Sequence, residues 1–224
     1  MRRTAVETQA GHVWFSASPL TDGPAVLLVH GAMRTINELQ PVAARLPNCV
    51  FGHLPDHGVP PLKAADLDLW SRAFAAAASA YFQQRPLILV GESLGALICL
   101  GMARFPLPGF RSVVAVEPPL RFSWPLEAAA LSDWLKPMLQ ADHRPMLAAS
   151  RIPVTVVAGD VPLDPPRALE RTPSLLGEAD RREIANLEVV SGGHQLMTEN
   201  PDACAAIIRR HLRDYGGARS ERTP

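Results

Sequence analysis

Short, unbroken apolar runs alternate along this chain with longer stretches in which apolar residues recur every three or four positions. Ala25-Val26-Leu27-Leu28-Val29-His30, Pro86-Leu87-Ile88-Leu89-Val90-Gly91, Ser112-Val113-Val114-Ala115-Val116-Glu117 and Pro153-Val154-Thr155-Val156-Val157-Ala158 show no polar alternation, and Leu187-Glu188-Val189-Val190 is a shorter run. A strand with one wet face alternates, whereas a strand covered on both faces does not. These runs therefore predict the interior strands of a parallel sheet. His12-Val13-Trp14-Phe15 predicts an early strand at the antiparallel edge of that sheet. Between the runs, Asp66 to Gln84 places Leu67, Trp70, Phe74, Ala77, Ala78 and Tyr81 on one helical face. Leu94 to Phe105 is nearly all apolar and predicts a buried central helix. The last helix starts at Asn200-Pro201, a cap followed by proline at the first helical position, with Cys204, Ile207, Ile208, His211 and Leu212 inward. This alternation predicts an α/β, doubly wound, mostly parallel sheet flanked by helices through right-handed crossovers.

Residues 119–151 break the rhythm. Trp124, Trp134, Met138 and Met146 lie there among prolines 119, 125, 137 and 145, which predicts a short helical cap inserted after a strand. The chain turns polar and glycine-rich from Gly216. The expected organisation is one domain over residues 1–218, with the cap at about 119–151 and a disordered tail over 219–224.

Composition narrows the function classes. The 224 residues carry 22 Lys+Arg against 22 Asp+Glu, so no basic excess is present to neutralise phosphates, and nucleic acid is not an expected partner. The basic residues are arginines apart from Lys63 and Lys136. An apolar fraction of 47% and a charged fraction of 20% suit a packed domain rather than disorder. Cys49, Cys99 and Cys204 form neither a disulfide framework nor a zinc spacing. Arg2 and Arg3 have no apolar run behind them, which argues against a signal peptide. The most apolar stretch, Leu87 to Ala103, contains Glu92, Ser93 and three glycines, so no membrane span is expected and the cytoplasm is the expected compartment.

Gly91-Glu92-Ser93-Leu94-Gly95 fits G-x-S-x-G and lies between a predicted buried strand and a predicted apolar helix. A serine on such a sharp turn adopts a strained backbone and projects its hydroxyl at the carboxyl end of the sheet, where crevices form. A Cβ on either glycine would strike the neighbouring strand or helix. Ser93 is therefore the expected nucleophile, at a helix N-terminus suited to developing negative charge.

With His30-Gly31 before this motif and Gly192-Gly193-His194 after it, the chain resembles the α/β-hydrolase superfamily over about residues 11 to 213. The resemblance implies that the N–H groups of Ala32, or its neighbour Met33, and of Leu94 form the oxyanion hole. It makes His194, before the Glu199-Asn200-Pro201 helix start, the catalytic base. The family's usual acid position, three residues after Gly159, is here Pro162. Asp160 is the favoured acid, Asp164 the alternative, and Glu117, at the end of the preceding strand, a third option. Leu54-Pro55-Asp56-His57-Gly58 resembles a family loop, and His57 reads as part of a structural turn.

The implied activity is that of a serine hydrolase acting on a small or medium carboxylic ester, lactone or thioester, with a small-molecule substrate and neither metal nor organic cofactor. The alternative is a non-catalytic, ligand-binding homologue of the same fold.

Overall fold

The computed structural model describes residues 1–121, 133–161 and 173–215. Within them, β1 (Arg2–Thr8), β2 (Gly11–Ala17), β3 (Ala25–Val29), β4 (Cys49–His53), β5 (Leu87–Glu92), β6 (Phe110–Val116), β7 (Val154–Gly159) and β8 (Leu187–Val190) form one sheet in the order β1-β2-β4-β3-β5-β6-β7-β8. From β4 to β8 all neighbours are parallel, and β2 joins them antiparallel through β4.

The five apolar runs are β3, β5, β6, β7 and β8, as their pattern predicts. Successive side chains leave a strand on opposite faces. Leu27, Val29, Leu89, Val113 and Ala115 accordingly join one core with α2 (Leu67–Phe82) and α3 (Leu94–Met102). Val26, Leu28, Ile88, Val90 and Val114 join the opposite core. There they meet α8 (Pro201–Tyr215) and the short α1 (Gln40–Ala43) through Ile207, Ile208, Cys204 and Val42. Each large aliphatic side chain removed from water in this way contributes about 1.5–3 kcal/mol before chain entropy is subtracted.

Helix ends follow local chemistry. Asp66 caps α2 by accepting the Leu69 N–H at 2.7 Å. Asn200 Oδ1 accepts the Ala203 N–H at 3.3 Å ahead of Pro201. α3 stops at Met102, short of the predicted Phe105, in turns that lead to Pro106. Residues before proline are disfavoured in helical geometry.

Two strands were not legible in the pattern. β4 is interrupted by Gly52 and His53, and the buried His53 meets Ser16 Oγ of β2 through its Nε2 at 2.8 Å. β1 pairs with β2 along its whole length, so the strand containing His12–Phe15 is the second from the edge rather than the edge itself.

Between β6 and β7 lie α4 (Leu135–Gln140) and α5 (Pro145–Ala148), and α6 (Glu178–Glu183) precedes β8. Leu135, Met138 and Leu139 are buried in the core shared with α2 and α3. Their helical spacing thus marks core. Trp124, Asp164 and the tail over 219–224 lie outside the described residues. Among the described residues no helix is long and apolar enough to cross a membrane.

Candidate active site

Ser93 joins β5 to α3 with φ +55° and ψ −121°, a backbone region that non-glycine residues rarely occupy. Its N–H donates to Val116 O of β6 at 2.9 Å, which fixes the turn against the neighbouring strand. The glycines make the turn possible. A Cβ on Gly91 would lie 2.2 Å from Gly95 O, and one on Gly95 would lie 2.3 Å from Val29 O. Leu94 opens α3, so its N–H has no acceptor within the helix.

The segment after β3 abuts this turn: a Cβ on Gly31 would stand 3.1 Å from Ser93 Cβ. Two histidines hold it. His30 Nδ1–H donates to Gly31 O at 2.9 Å, and its Nε2 accepts the Leu54 N–H at 3.2 Å. His57 Nδ1–H donates to Pro55 O at 2.8 Å, and its Nε2 accepts the Met33 N–H at 2.8 Å. Carbonyls only accept and amides only donate, so these partners select the neutral Nδ1–H tautomer in both rings. Desolvation is the main reason that His30 is driven down to about 4. Met33, at φ +59°, spends its N–H on His57, whereas nothing among the described residues accepts the Ala32 N–H. Trp134 stands edge-on to His57 and packs on Trp70, closing this side of the site with aromatic surface.

His194 follows β8 at the same carboxyl edge. Its loop is anchored by Gly193 N–H to Glu199 Oε2 at 2.6 Å and by Asn200 Nδ2–H to Ser191 O at 3.0 Å. The His194 side chain is only 16% exposed, and its Nδ1 lies 3.4 Å from Glu117 Oε2. Glu117 ends β6 and is fully buried. Its Oε1 accepts the Gly159 N–H at 2.6 Å and the Ser174 hydroxyl at 2.7 Å, while Oε2 accepts the Leu175 N–H at 2.8 Å. These donors leave Glu117 the role of acceptor toward Nδ1–H, which puts the His194 lone pair on Nε2, where no group among the described residues donates to it.

The favoured acid of the sequence reading is placed differently. Asp160 is exposed, and its Oδ1 accepts the Gly192 N–H at 3.0 Å, holding the loop before His194 rather than the imidazole. β7 ends one residue before Asp160, beside β8, so its short side chain meets the glycine turn that leaves β8. Glu117 comes from one strand further in and is long enough to reach across. In the sequence, only its position at the end of an apolar run marked Glu117. Ser174 and Leu175, which hold its carboxylate, carried no signal.

Glu92, the residue before Ser93, is 1% exposed, and desolvation raises its pKa against the pull of Arg34 and His194. Among the described residues no group of three or more His, Cys, Asp or Glu side chains is arranged to hold a metal ion.

The sequence profile of the alpha/beta hydrolase family matches residues 26–220. No curated protein matches the chain. Among solved structures, the thioesterase domain from the curacin biosynthetic pathway superposes with a TM-score of 0.67 at 18% identity, covering 93% of this chain and 99% of that one. The carboxylesterase CesB of Bacillus subtilis gives 0.70 at 15% identity, with 94% and 91% covered. The enol-lactonase of Burkholderia xenovorans gives 0.72 at 12% identity, with 94% and 100% covered. At these identities the likeness is one of fold.

Proposed function

The chain belongs to the alpha/beta hydrolase family, and from that membership we propose that it is a serine hydrolase of a small or medium carboxylic ester, lactone or thioester. The observation that carries this reading is the buried Glu117 facing His194 Nδ1 at the sheet edge where the strained Ser93 turn opens. The likeness in fold to an esterase, a thioesterase and a lactonase supports the acyl-transfer class. One domain with a short cap over about 119–151 would suit a compact substrate.

In this reading Ser93 Oγ attacks the carbonyl carbon while His194 Nε2 takes its proton. Glu117, in place of Asp160, accepts Nδ1–H and stabilises the imidazolium that forms. The Ala32 and Leu94 N–H groups receive the oxyanion, each removed donor costing on the order of 3 kcal/mol of barrier. Collapse of the tetrahedral intermediate expels the alcohol or thiol, which takes the proton from His194. Water, deprotonated by the same imidazole, then releases the acid and regenerates Ser93.

A fluorophosphonate probe tests the proposal directly. Covalent labelling of Ser93, lost in Ser93→Ala, together with turnover of p-nitrophenyl esters, is the expected result. A native protein that neither reacts with the probe nor turns over any ester, thioester or lactone would instead be a ligand-binding homologue.

A further inference from the structure

Three segments of the proposed machinery meet at one ion pair, between buried Glu92 and half-buried Arg34, that the acyl-transfer scheme does not use. Glu92 sits between Gly91 and Ser93. Its Oε1 accepts the Met197 N–H at 3.1 Å, and its Oε2 lies 3.6 Å from Arg34 Nη1. Met197 belongs to α7 (Leu196–Glu199), the turn of helix directly after His194. Arg34 leaves the loop that carries Ala32, and its Nη2–H donates to Thr198 Oγ1 of α7 at 3.1 Å. Thr198 in turn donates to Glu38 O at 3.3 Å, beyond the same loop. Glu92 and Arg34 thus tie the nucleophile turn, the oxyanion loop and the histidine segment to one another.

The pair is a costly way to fill this space. Arg34 Nη1 and Glu92 Oε2 are buried and have no hydrogen-bond partner among the described residues, only each other. Well-packed apolar residues of similar volume often hold a fold as well as a buried ion pair does. What apolar residues could not supply is charge and directional reach. The titratable and charged groups that act on Glu92 through space are Arg34 from the oxyanion loop, His194 and Glu117 from the end of β6, and Glu92 in turn adds to the burial that raises the Cys204 thiol of α8. Glu92 is therefore a second carboxylate within electrostatic reach of the imidazole, on a different element from Glu117.

We infer that Arg34 and Glu92 are positioning residues, which hold the oxyanion loop and His194 in register with Ser93 and favour the positive imidazole during acyl transfer. This rests on the serine-hydrolase reading. Two variants test it, read by kcat and KM for a p-nitrophenyl ester across pH, by fluorophosphonate labelling and by thermal melting. Arg34→Lys keeps the charge but cannot reach Glu92 and Thr198 together; kcat falls about threefold to tenfold with KM little changed and melting near native. Glu92→Gln keeps the shape and removes the charge. Its kcat falls by about tenfold or more, and the acid limb of the kcat profile moves to lower pH, because the imidazolium loses a neighbouring negative charge. A purely structural pair would change melting and leave that limb in place. Native kcat and an unmoved acid limb in both variants, with Ser93 still labelled, would overturn the inference alone. Should Glu92→Gln not fold, native kcat in Arg34→Lys overturns it. An unlabelled, inactive native protein would overturn the underlying reading instead.

Discussion

Glu117 and His194 stand 77 positions apart in the chain and face each other at 3.4 Å across the carboxyl ends of β6 and β8. The separation is longer than the usual 2.9 Å of a good hydrogen bond, and catalytic pairs commonly tighten only when substrate binds. The Glu117 carboxylate is already held by the Gly159, Ser174 and Leu175 donors. Any tightening is therefore expected on the histidine side.

Of the three candidate acids, Glu117 is expected to matter most. Glu117→Ala should lower kcat by about 10³- to 10⁴-fold, since the imidazole then loses the carboxylate that faces its Nδ1. Asp160→Ala should cost less than about tenfold, because it removes one loop-anchoring hydrogen bond worth about 1 kcal/mol. Asp164→Ala completes the comparison. Steady-state kinetics on all three, each with a melting curve, decides the matter; a silent Glu117→Ala with a crippled Asp160→Ala would return the role to Asp160.

The Ser93 turn should trade stability for reactivity. At φ +55° a side chain stores on the order of 1–3 kcal/mol of strain that glycine does not. Ser93→Gly should melt higher than Ser93→Ala, while both lose activity by about 10⁴-fold or more. Calorimetry on the two variants checks this, and equal melting temperatures would mean that the turn is not strained.

His57 is expected to act on the rate through the backbone it holds. His57→Phe removes the acceptor of the Met33 N–H, so the neighbouring Ala32 N–H loses its fixed direction. A misplacement of the order of 1 Å can cost about 10²-fold. The loss should fall on kcat, with KM little changed, and a kinetic split of the opposite kind would make His57 a substrate contact.

Acid should unfold the protein by way of its buried histidines. Burial, first of all, lowers His30 to about 4 and His53 to about 4, from an ordinary 6.5. Between these values the unfolded chain binds protons that the folded chain refuses, so stability is whole above about pH 6.5 and falls as pH drops toward 4. Urea midpoints measured across that window should decline with acid, and His53→Gln should shrink the decline.

The sequence by itself determined the parallel core, because a run such as Val26–Val29 can be satisfied only where both faces are dry. It also determined the Ser93 turn, since Gly91 and Gly95 stand where any Cβ would meet backbone. The family resemblance carried by Gly192-Gly193-His194 singled out His194 as the expected base. All of these are local properties, set by residues within a few positions of one another. The proposed acid could be chosen only from the tertiary structure. Asp160 and Glu117 both end strands, and which of them meets His194 depends on strand order, on side-chain length and on the loop that brings Ser174 and Leu175 to the carboxylate. The same holds for β4, whose His53 is tolerable in a core only opposite Ser16, and for Glu92, whose charge is tolerable only where Arg34 folds back to meet it. A polar residue buried in a sheet is legible only once its partner is known, and a partner contributed by a distant strand or loop leaves no trace in the local pattern.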